Sequence, residues 1–526
     1  MDVVLVDSVN FSVGSITPQL GLLALHSRLK RSFSVELINF DRMYYLGEFV
    51  YDNDMDVTIE KMAQFLAEKK ALVYGFYTIC NSYAVTVLLA KRLKQVIPGT
   101  RIIFGGPHAT MTSQRSLESF DFIDAISLGE SEKHICDFVH ALISGKDNFE
   151  KLDGVCFRGK NGIVSTEPTE MLDANELSEM SIVEMLRDSG YKDIKTGIFS
   201  LESGRGCPYS CTFCSTNKFW KRVCRLRSIN SLIRDMKGLH AQYGYKFFAF
   251  QHDHFTVNRD YLHQFCAELI KEDLKFSWSC STRIDNLDYD SINLMKKAGC
   301  IHIFVGLETG SKKMQRVINK NIYIDEAIEK IIYIRSIEIS VTVSFIYGFP
   351  EETLDDFADS MRAIDTLILN NIRSIQLHKL FLIPETKELE KVADRLYFDN
   401  LDIEFTILRK CTNIQSVIEL IKQYPLIFSQ FYTFASDVRT KYKRMDFLEY
   451  VIVTAYKDAP LKIKYFIKKY GIIGLYDIFH EEIEDAFQKI FTSKIEATQE
   501  FWQLDQYQEY VAGLFASLEA KMRNID

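Results

Sequence analysis

The sequence predicts an α/β protein made of two successive strand-and-helix series followed by a mainly helical section, and three observations predict it. From residue 1 to about 145, short β-branched runs alternate with longer helical ones. After a polar, irregular stretch the alternation restarts near residue 196, and beyond residue 395 it gives way to aromatic-rich helical sequence with few strand signals. Alternation of this kind builds parallel sheets covered by helices, with ligands at the carboxyl ends of the strands. The expected sections are therefore 1–145, a connector at 146–192, 193–395 and 396–526. A chain of 526 residues exceeds what one hydrophobic core can organise.

In the first series the strand candidates are Val3 to Val6, Val35 to Asn39, Leu72 to Phe76, Ile102 to Phe104 and Ala125 to Leu128, with helices such as Leu20 to Lys30 and Tyr83 to Val96 between them. This is a Rossmann-like pattern. Its strand ends carry Thr78, then Gly105, Gly106, Pro107 and His108, then Gly129 and Glu130; glycines there let backbone approach a ligand. A hairpin is expected in the connector, from Gly154 to Val164 around Gly159-Lys160-Asn161-Gly162.

In the second series the candidates are Ile198 to Glu202, Phe247 to Gln251, Phe276 to Cys280, His302 to Gly306, Val341 to Phe345 and Ile372 to Leu377. Six βα-like units at this spacing suggest a (β/α)6 partial barrel with its chemistry at the strand carboxyl ends. In the tail, helices are expected over Phe428 to Tyr442 and Leu461 to Tyr470. Its Lys462–Tyr470 segment reads as a basic solvated face over an aromatic stripe.

Composition narrows the function. Hydrophobic residues make up 47% and charged residues 25%, as in an ordinary globular protein. A formal net charge of -8 argues against bulk nucleic-acid binding. Neither a signal peptide nor an apolar run of the roughly 20 residues that span a bilayer is evident, so the expectation is a cytoplasmic protein without a membrane partner. Eleven thinly spread cysteines suit reduced thiols with a few metal ligands better than a disulfide scaffold.

The sharpest signal follows the first strand of the second series: Gly204-Arg205-Gly206-Cys207-Pro208-Tyr209-Ser210-Cys211-Thr212-Phe213-Cys214. Three cysteines within eight residues can wrap one four-iron cluster and leave its fourth iron for an exogenous chelator. The amino and carboxylate groups of S-adenosylmethionine (SAM) are suitable chelators. A structural zinc site, completed by Cys224 or His240, is the alternative.

This Cys-x3-Cys-x2-Cys loop, with the aromatic Phe213 before its last cysteine, resembles the radical SAM superfamily. Later segments resemble it in order. Phe250-Gln251-His252-Asp253-His254-Phe255 is similar to the acidic turn after the second barrel strand, with His252 where many relatives carry another aspartate. Ser281-Thr282-Arg283-Ile284-Asp285, Val305-Gly306-Leu307-Glu308-Thr309-Gly310-Ser311 and Tyr347-Gly348-Phe349-Pro350-Glu351-Glu352-Thr353 are similar to the arginine, glycine-glutamate and adenine-side segments. The resemblance implies Cys207, Cys211 and Cys214 on a 4Fe-4S cluster, and Phe213, Asp253, Arg283, Glu308 and Gly348 around SAM. Read locally, Arg283 and Glu308 are surface ion-pair residues, and Glu351 and Glu352 are acids at a helix start.

The first series, with Pro18-Gln19-Leu20-Gly21, Gly105-Gly106-Pro107-His108-Ala109 and Gly129-Glu130-Ser131-Glu132, resembles the cobalamin-binding domain of one radical SAM branch. The resemblance spans roughly residues 1 to 395 and implies cobalamin contacts from Gly21, Thr78, Gly105, Gly106, Pro107, Gly129 and Glu130. His108 reads as a loop histidine rather than a cobalt ligand, and Cys80 as a packed thiol. A cobalamin-dependent methyltransferase follows, acting on an unactivated carbon of a peptide or small natural product and fed by a flavodoxin- or ferredoxin-type low-potential donor. A radical cyclase or rearrangement enzyme, and a non-catalytic cobalamin or metal sensor, are the alternatives.

Overall fold

A computed structural model describes residues 1–11, 19–145, 149–167, 170–191, 197–399, 413–457 and 459–492, with positions 513, 516 and 520. Pro18 and most of the expected helical tail beyond residue 492 lie outside the described residues. The chain forms two compact units, each discontinuous in sequence: Met1–Arg205 with Ser215–Tyr245 and Leu382–Thr433, and Gly206–Cys214 with Lys246–Phe381 and Phe434–Asp526.

The first unit holds a sheet of β1 (Val3–Val6), β2 (Val35–Ile38), β3 (Val73–Tyr77), β4 (Arg101–Gly105), β5 (Ala125–Ser127), β6 (Val155–Gly159) and β7 (Gly162–Ser165), in the order β2-β1-β3-β4-β5-β6-β7. The β1 to β5 pairings are parallel, and neighbouring residues along a strand serve opposite faces. Val4, Val6, Tyr74, Phe76, Ile102 and Phe104 enter one apolar cluster, while Val3, Leu5, Val73 and Ile103 enter the other. Strands this apolar on both faces are what a helix-covered parallel sheet requires. The order reverses between β1 and β3, which places a crevice at their carboxyl ends.

Two differences from the sequence expectation have clear causes. The hairpin β6–β7 is not a free connector: β6 pairs antiparallel with β5, Ala125 opposite Phe157 and Ser127 opposite Val155, because Val155, Cys156 and Phe157 are all buried. The stretch Phe428–Tyr442 is not one helix. After a 3-10 turn at Ser429–Phe431, Tyr432–Thr433 forms a short strand paired with Tyr397–Phe398, and the α-helix starts at Asp437, capped by Ser436. Phe428 and Phe431, with Val417 and Ile421 of helix Gln415–Gln423, are buried in the same cluster as β1 and β3.

Strand β8 (Ile198–Glu202) and the antiparallel pair β9 (Gly204–Arg205) and β10 (Arg225–Leu226) also belong to the first unit. The second unit contains β11 (Phe247–Gln251), β12 (Ser277–Thr282), β13 (Cys300–Glu308), β14 (Ser340–Tyr347) and β15 (Ser374–Lys379), each parallel to the next. Helices Arg259–Lys271, Tyr289–Lys297, Ile324–Ser336 and Leu354–Leu369 follow the first four strands. This sequential order is barrel-like and puts the loops after β11 to β15 at one end. Helix Met445–Tyr456 packs against β15, and the long helix Pro460–Thr492 breaks at Gly471. Among the described residues no helix is long and apolar enough to cross a membrane.

Candidate functional site

Cys207, Cys211 and Cys214 lie in one partly exposed loop of the second unit, at the carboxyl ends of its strands. Backbone bonds hold it in place. Gly206 carbonyl accepts from His252 Nε2 at 3.0 Å, and Thr212 N–H donates to Ile318 O at 3.0 Å. Asn319 Nδ2 donates to Ser210 O at 3.1 Å and to its Oγ at 2.8 Å. Burial pushes the Cys207 thiol up to about 11 and raises that of Cys211, so loading a metal displaces protons from these sulfurs. Among the described residues no three His, Cys, Asp or Glu side chains gather as tightly as a single ion requires. A four-iron cube asks for something else, one thiolate at each of three corners. His240, offered as a zinc ligand, bonds through Nδ1 to Tyr245 O at 2.9 Å.

Around this loop the structure gathers most of the residues expected to hold SAM. Arg283 is buried after β12, with its guanidinium 3.9 Å over the ring of Tyr209 from the cysteine loop. Its Nε and Nη2 donate to Asp285 at 3.2 and 2.8 Å, and Nη2 donates also to Lys320 O at 2.6 Å. Its Nη1 is buried with no acceptor among the described residues. A buried guanidinium N–H without an acceptor is costly, and a ligand carboxylate would satisfy it. The surface ion-pair reading fails for Arg283, and it fails for Glu308 too.

Glu308 ends β13 beside a register irregularity, at φ +68°, and is buried against Lys320, with Nζ to Oε1 at 2.6 Å. A left-handed backbone at a glutamate is strained and is held by its surroundings. A Cβ on Gly306 would stand 2.9 Å from Lys320 Nζ, so the missing side chain makes room for this pair. Phe213 meets the edge of Phe349 at 6.0 Å, and Asp253 is exposed but electrostatically coupled to Cys207. Gly348 follows β14 at φ +79° and donates its N–H to Glu352. Glu352 does not start the next helix; Thr353 caps it, in a reciprocal arrangement with Asp356.

Sequence reasoning missed Lys320 and underused His252. No motif marks Lys320, because its importance comes from meeting Glu308 across 12 residues of chain. His252 and His254 are held neutral, near 4 and near 3, by burial. The tautomer of His252 with a proton on Nε2 is a donor to Gly206 O, so this histidine positions the start of the cysteine loop.

The first unit presents its expected ligand residues less uniformly. Gly21 and Gly129 face open space, with nothing within 4 Å of where a Cβ would stand. Gly105, Gly106 and Pro107 are half-buried at the end of β4. Thr78 is turned inward: its hydroxyl donates to Gly105 O at 2.9 Å and accepts from Ala109 N–H at 3.0 Å, stitching β3 to β4. Gly106 adopts φ +96°, and a Cβ there would stand 2.7 Å from Thr78 O. Gly106→Ala is expected to destabilise the first unit by about 3 kcal/mol, read as a lower thermal midpoint.

The Glu130 carboxylate, expected to contact cobalamin, is buried between Arg205 and Arg225, and Arg225 donates to it at 2.6 Å. Arg205 also binds Glu132 at 2.8 Å and Glu202 at 2.9 Å. His108 lies in a short helix rather than a loop, is buried, bonds Ile427 O at 3.0 Å and is held near 3 by burial. At the β1 end, buried Asp7 accepts from Ser8 N–H at 2.7 Å and from Asn39 Nδ2 at 3.0 Å, and burial pushes it up to about 7.

The model of the Radical SAM superfamily matches residues 201–364 and that of the B12 binding domain matches residues 6–139. An uncharacterized methyltransferase of Pyrococcus horikoshii is 27% identical over 65% of this chain and 72% of its own length. An anaerobic magnesium-protoporphyrin IX monomethyl ester cyclase of Cereibacter sphaeroides is 29% identical over 58% of this chain. This chain spans only 51% of that cyclase. Among solved structures, the radical SAM methyltransferase TsrM of Kitasatospora setae, with cobalamin and a [4Fe-4S] cluster bound, gives a TM-score of 0.61 at 18% identity over 81% of this chain and 82% of its own. The cobalamin-dependent radical enzyme OxsB, with aqua-cobalamin and SAM bound, gives 0.60 at 13% identity, covering 100% of this chain and 80% of its own. At such identities these two likenesses establish the fold.

Proposed function

We propose that this chain, which belongs to the radical SAM superfamily and carries a B12-binding domain in the same polypeptide, is a cobalamin-dependent radical SAM methyltransferase that methylates an unactivated carbon of a peptide or small natural product. The observation that carries the reading is the buried Arg283 Nη1 without an acceptor, beside the loop of Cys207, Cys211 and Cys214. When bound, a 4Fe-4S cluster, SAM and cobalamin would together supply a 5'-deoxyadenosyl radical and a transferable methyl group.

The chain's own part is binding and exclusion. Cys207, Cys211 and Cys214 would hold three irons as thiolates, while Arg283 would meet the SAM carboxylate through Nη1. Glu308, held by its ion pair with Lys320, would accept from a SAM donor group. Phe213 and the Gly348 turn would border the nucleoside, with Asp253 at the rim. In the first unit the exposed backbone at Gly21 and the half-buried backbone at Gly105, Gly106, Pro107 and Gly129 would offer the close approach a flat corrin needs, whereas Glu130 and the Thr78 hydroxyl serve the fold. A flavodoxin- or ferredoxin-type protein is the proposed electron donor.

The test is anaerobic reconstitution with iron, sulfide and hydroxocobalamin, followed by gel filtration and a reductive assay. Corrin bands that remain with the protein, and S-adenosylhomocysteine formed together with 5'-deoxyadenosine, are expected. Loss of the corrin on the column would sink the cobalamin part. The cyclase similarity favours a second reading, radical ring formation without methyl transfer, which predicts 5'-deoxyadenosine alone.

A further inference from the structure

Arg439 stands about 90 residues after the Gly348 turn, in the helix Asp437–Lys441 of the C-terminal section, and belongs to the same compact unit. It is buried, with its guanidinium 4.1 Å over the ring of Phe434. Its Nε donates to Gly348 O at 2.7 Å and its Nη2 donates to Leu380 O at 2.9 Å. Those carbonyls lie just past the ends of β14 and β15, which are themselves joined by Leu380 N–H to Tyr347 O at 2.9 Å. The backbone of Gly348 is thus held on both its polar groups, its N–H by Glu352 and its carbonyl by Arg439. The fit is reciprocal: a Cβ on Gly348 would stand 2.9 Å from Arg439 Cγ and Nε, so only a glycine admits the guanidinium over this turn.

We infer that Arg439 is a positioning residue for SAM: it fixes the turn after β14 against which the nucleoside end binds, and so makes the C-terminal section part of the cofactor pocket's frame. This rests on the reading of Gly348 as SAM-facing. A planar guanidinium reaches two carbonyls on two strands at once, whereas a lysine ammonium offers one compact charge and cannot take both positions. Without the guanidinium, two carbonyls lose charge-assisted donors and the turn is free to shift.

The experiment uses the full chain, reconstituted anaerobically, with Arg439→Met and Arg439→Lys. S-adenosylhomocysteine affinity is measured by calorimetry, and SAM binding by the change it causes in the electron paramagnetic resonance spectrum of the reduced cluster. With iron content unchanged, Arg439→Met is expected to weaken S-adenosylhomocysteine binding about tenfold, with Arg439→Lys between it and the wild type. The KM for SAM in substrate-free cleavage should rise while the maximal rate is retained. A folded Arg439→Met protein with wild-type affinity overturns the inference. Loss of the fold or of the cluster in both variants also overturns it, since Arg439 would then be a purely structural residue. If the wild-type protein binds neither ligand, the radical SAM reading itself fails, a result distinct from either.

Discussion

Replacing any one of Cys207, Cys211 and Cys214 with alanine is expected to remove the iron-sulfur absorption of the reconstituted protein and to lower reductive SAM cleavage by about a thousandfold, or roughly 4 kcal/mol of transition-state stabilisation. The three sulfurs are partly exposed in a loop whose backbone is tied down at Gly206, Ser210 and Thr212 by residues from two other segments. The loop should therefore keep its course when a single thiol is removed, and the effect should be local. Circular dichroism and the thermal midpoint should stay close to wild type while iron and sulfide content falls. Cys266, Cys280 and Cys300 supply the control. They are buried in the same unit, and burial drives the Cys266 and Cys300 thiols up. Alanine at Cys266 should leave cluster content intact. Retained cleavage in the Cys211→Ala protein would remove the basis of the proposed chemistry.

Glu130→Ala should give the largest loss of stability of any single substitution considered in the first unit, about 3–5 kcal/mol. The carboxylate is almost wholly buried and accepts from Arg205 and Arg225, themselves nearly inaccessible. Removing it leaves two guanidiniums in the interior with part of their compensation gone, which costs more than the pair itself contributes. Glu130→Gln keeps the shape and one acceptor, so its loss should be smaller. Urea unfolding followed by intrinsic fluorescence would show a lower midpoint in the order wild type, glutamine, alanine. If Glu130→Ala instead weakened corrin retention with the midpoint unmoved, the carboxylate would be a ligand contact after all.

The contrast between these two sites shows what sequence could reveal. The strands were legible because β-branched runs buried on two faces read as parallel sheet, and the cysteine loop because its spacing has few structural explanations. Arg283 and Glu308 were legible as a pair of segments in order. Lys320 was not, because a lysine in an Asn-Lys-Asn turn carries no local signal and matters only through Glu308 and the carbonyl it offers to Arg283. The ion pairs of Glu130 were hidden for a related reason: the two arginines it accepts from stand 75 and 95 residues away. The hairpin at Val155–Ser165 was recognised as a hairpin, but its attachment to the sheet depends on the apolar edge of β5, which no window around it contains.

The course of the chain has a practical corollary for anyone dissecting this protein. It passes between its two units at residues 205/206, 214/215, 245/246, 381/382 and 433/434. A fragment ending near residue 145 would lack Val417, Ile421, Phe428 and Phe431, which complete the apolar cluster over β1 and β3. Such a piece would leave greasy surface bare and invite aggregation. Cassette exchange with a homologue would need to carry the 415–431 segment along with the amino-terminal portion.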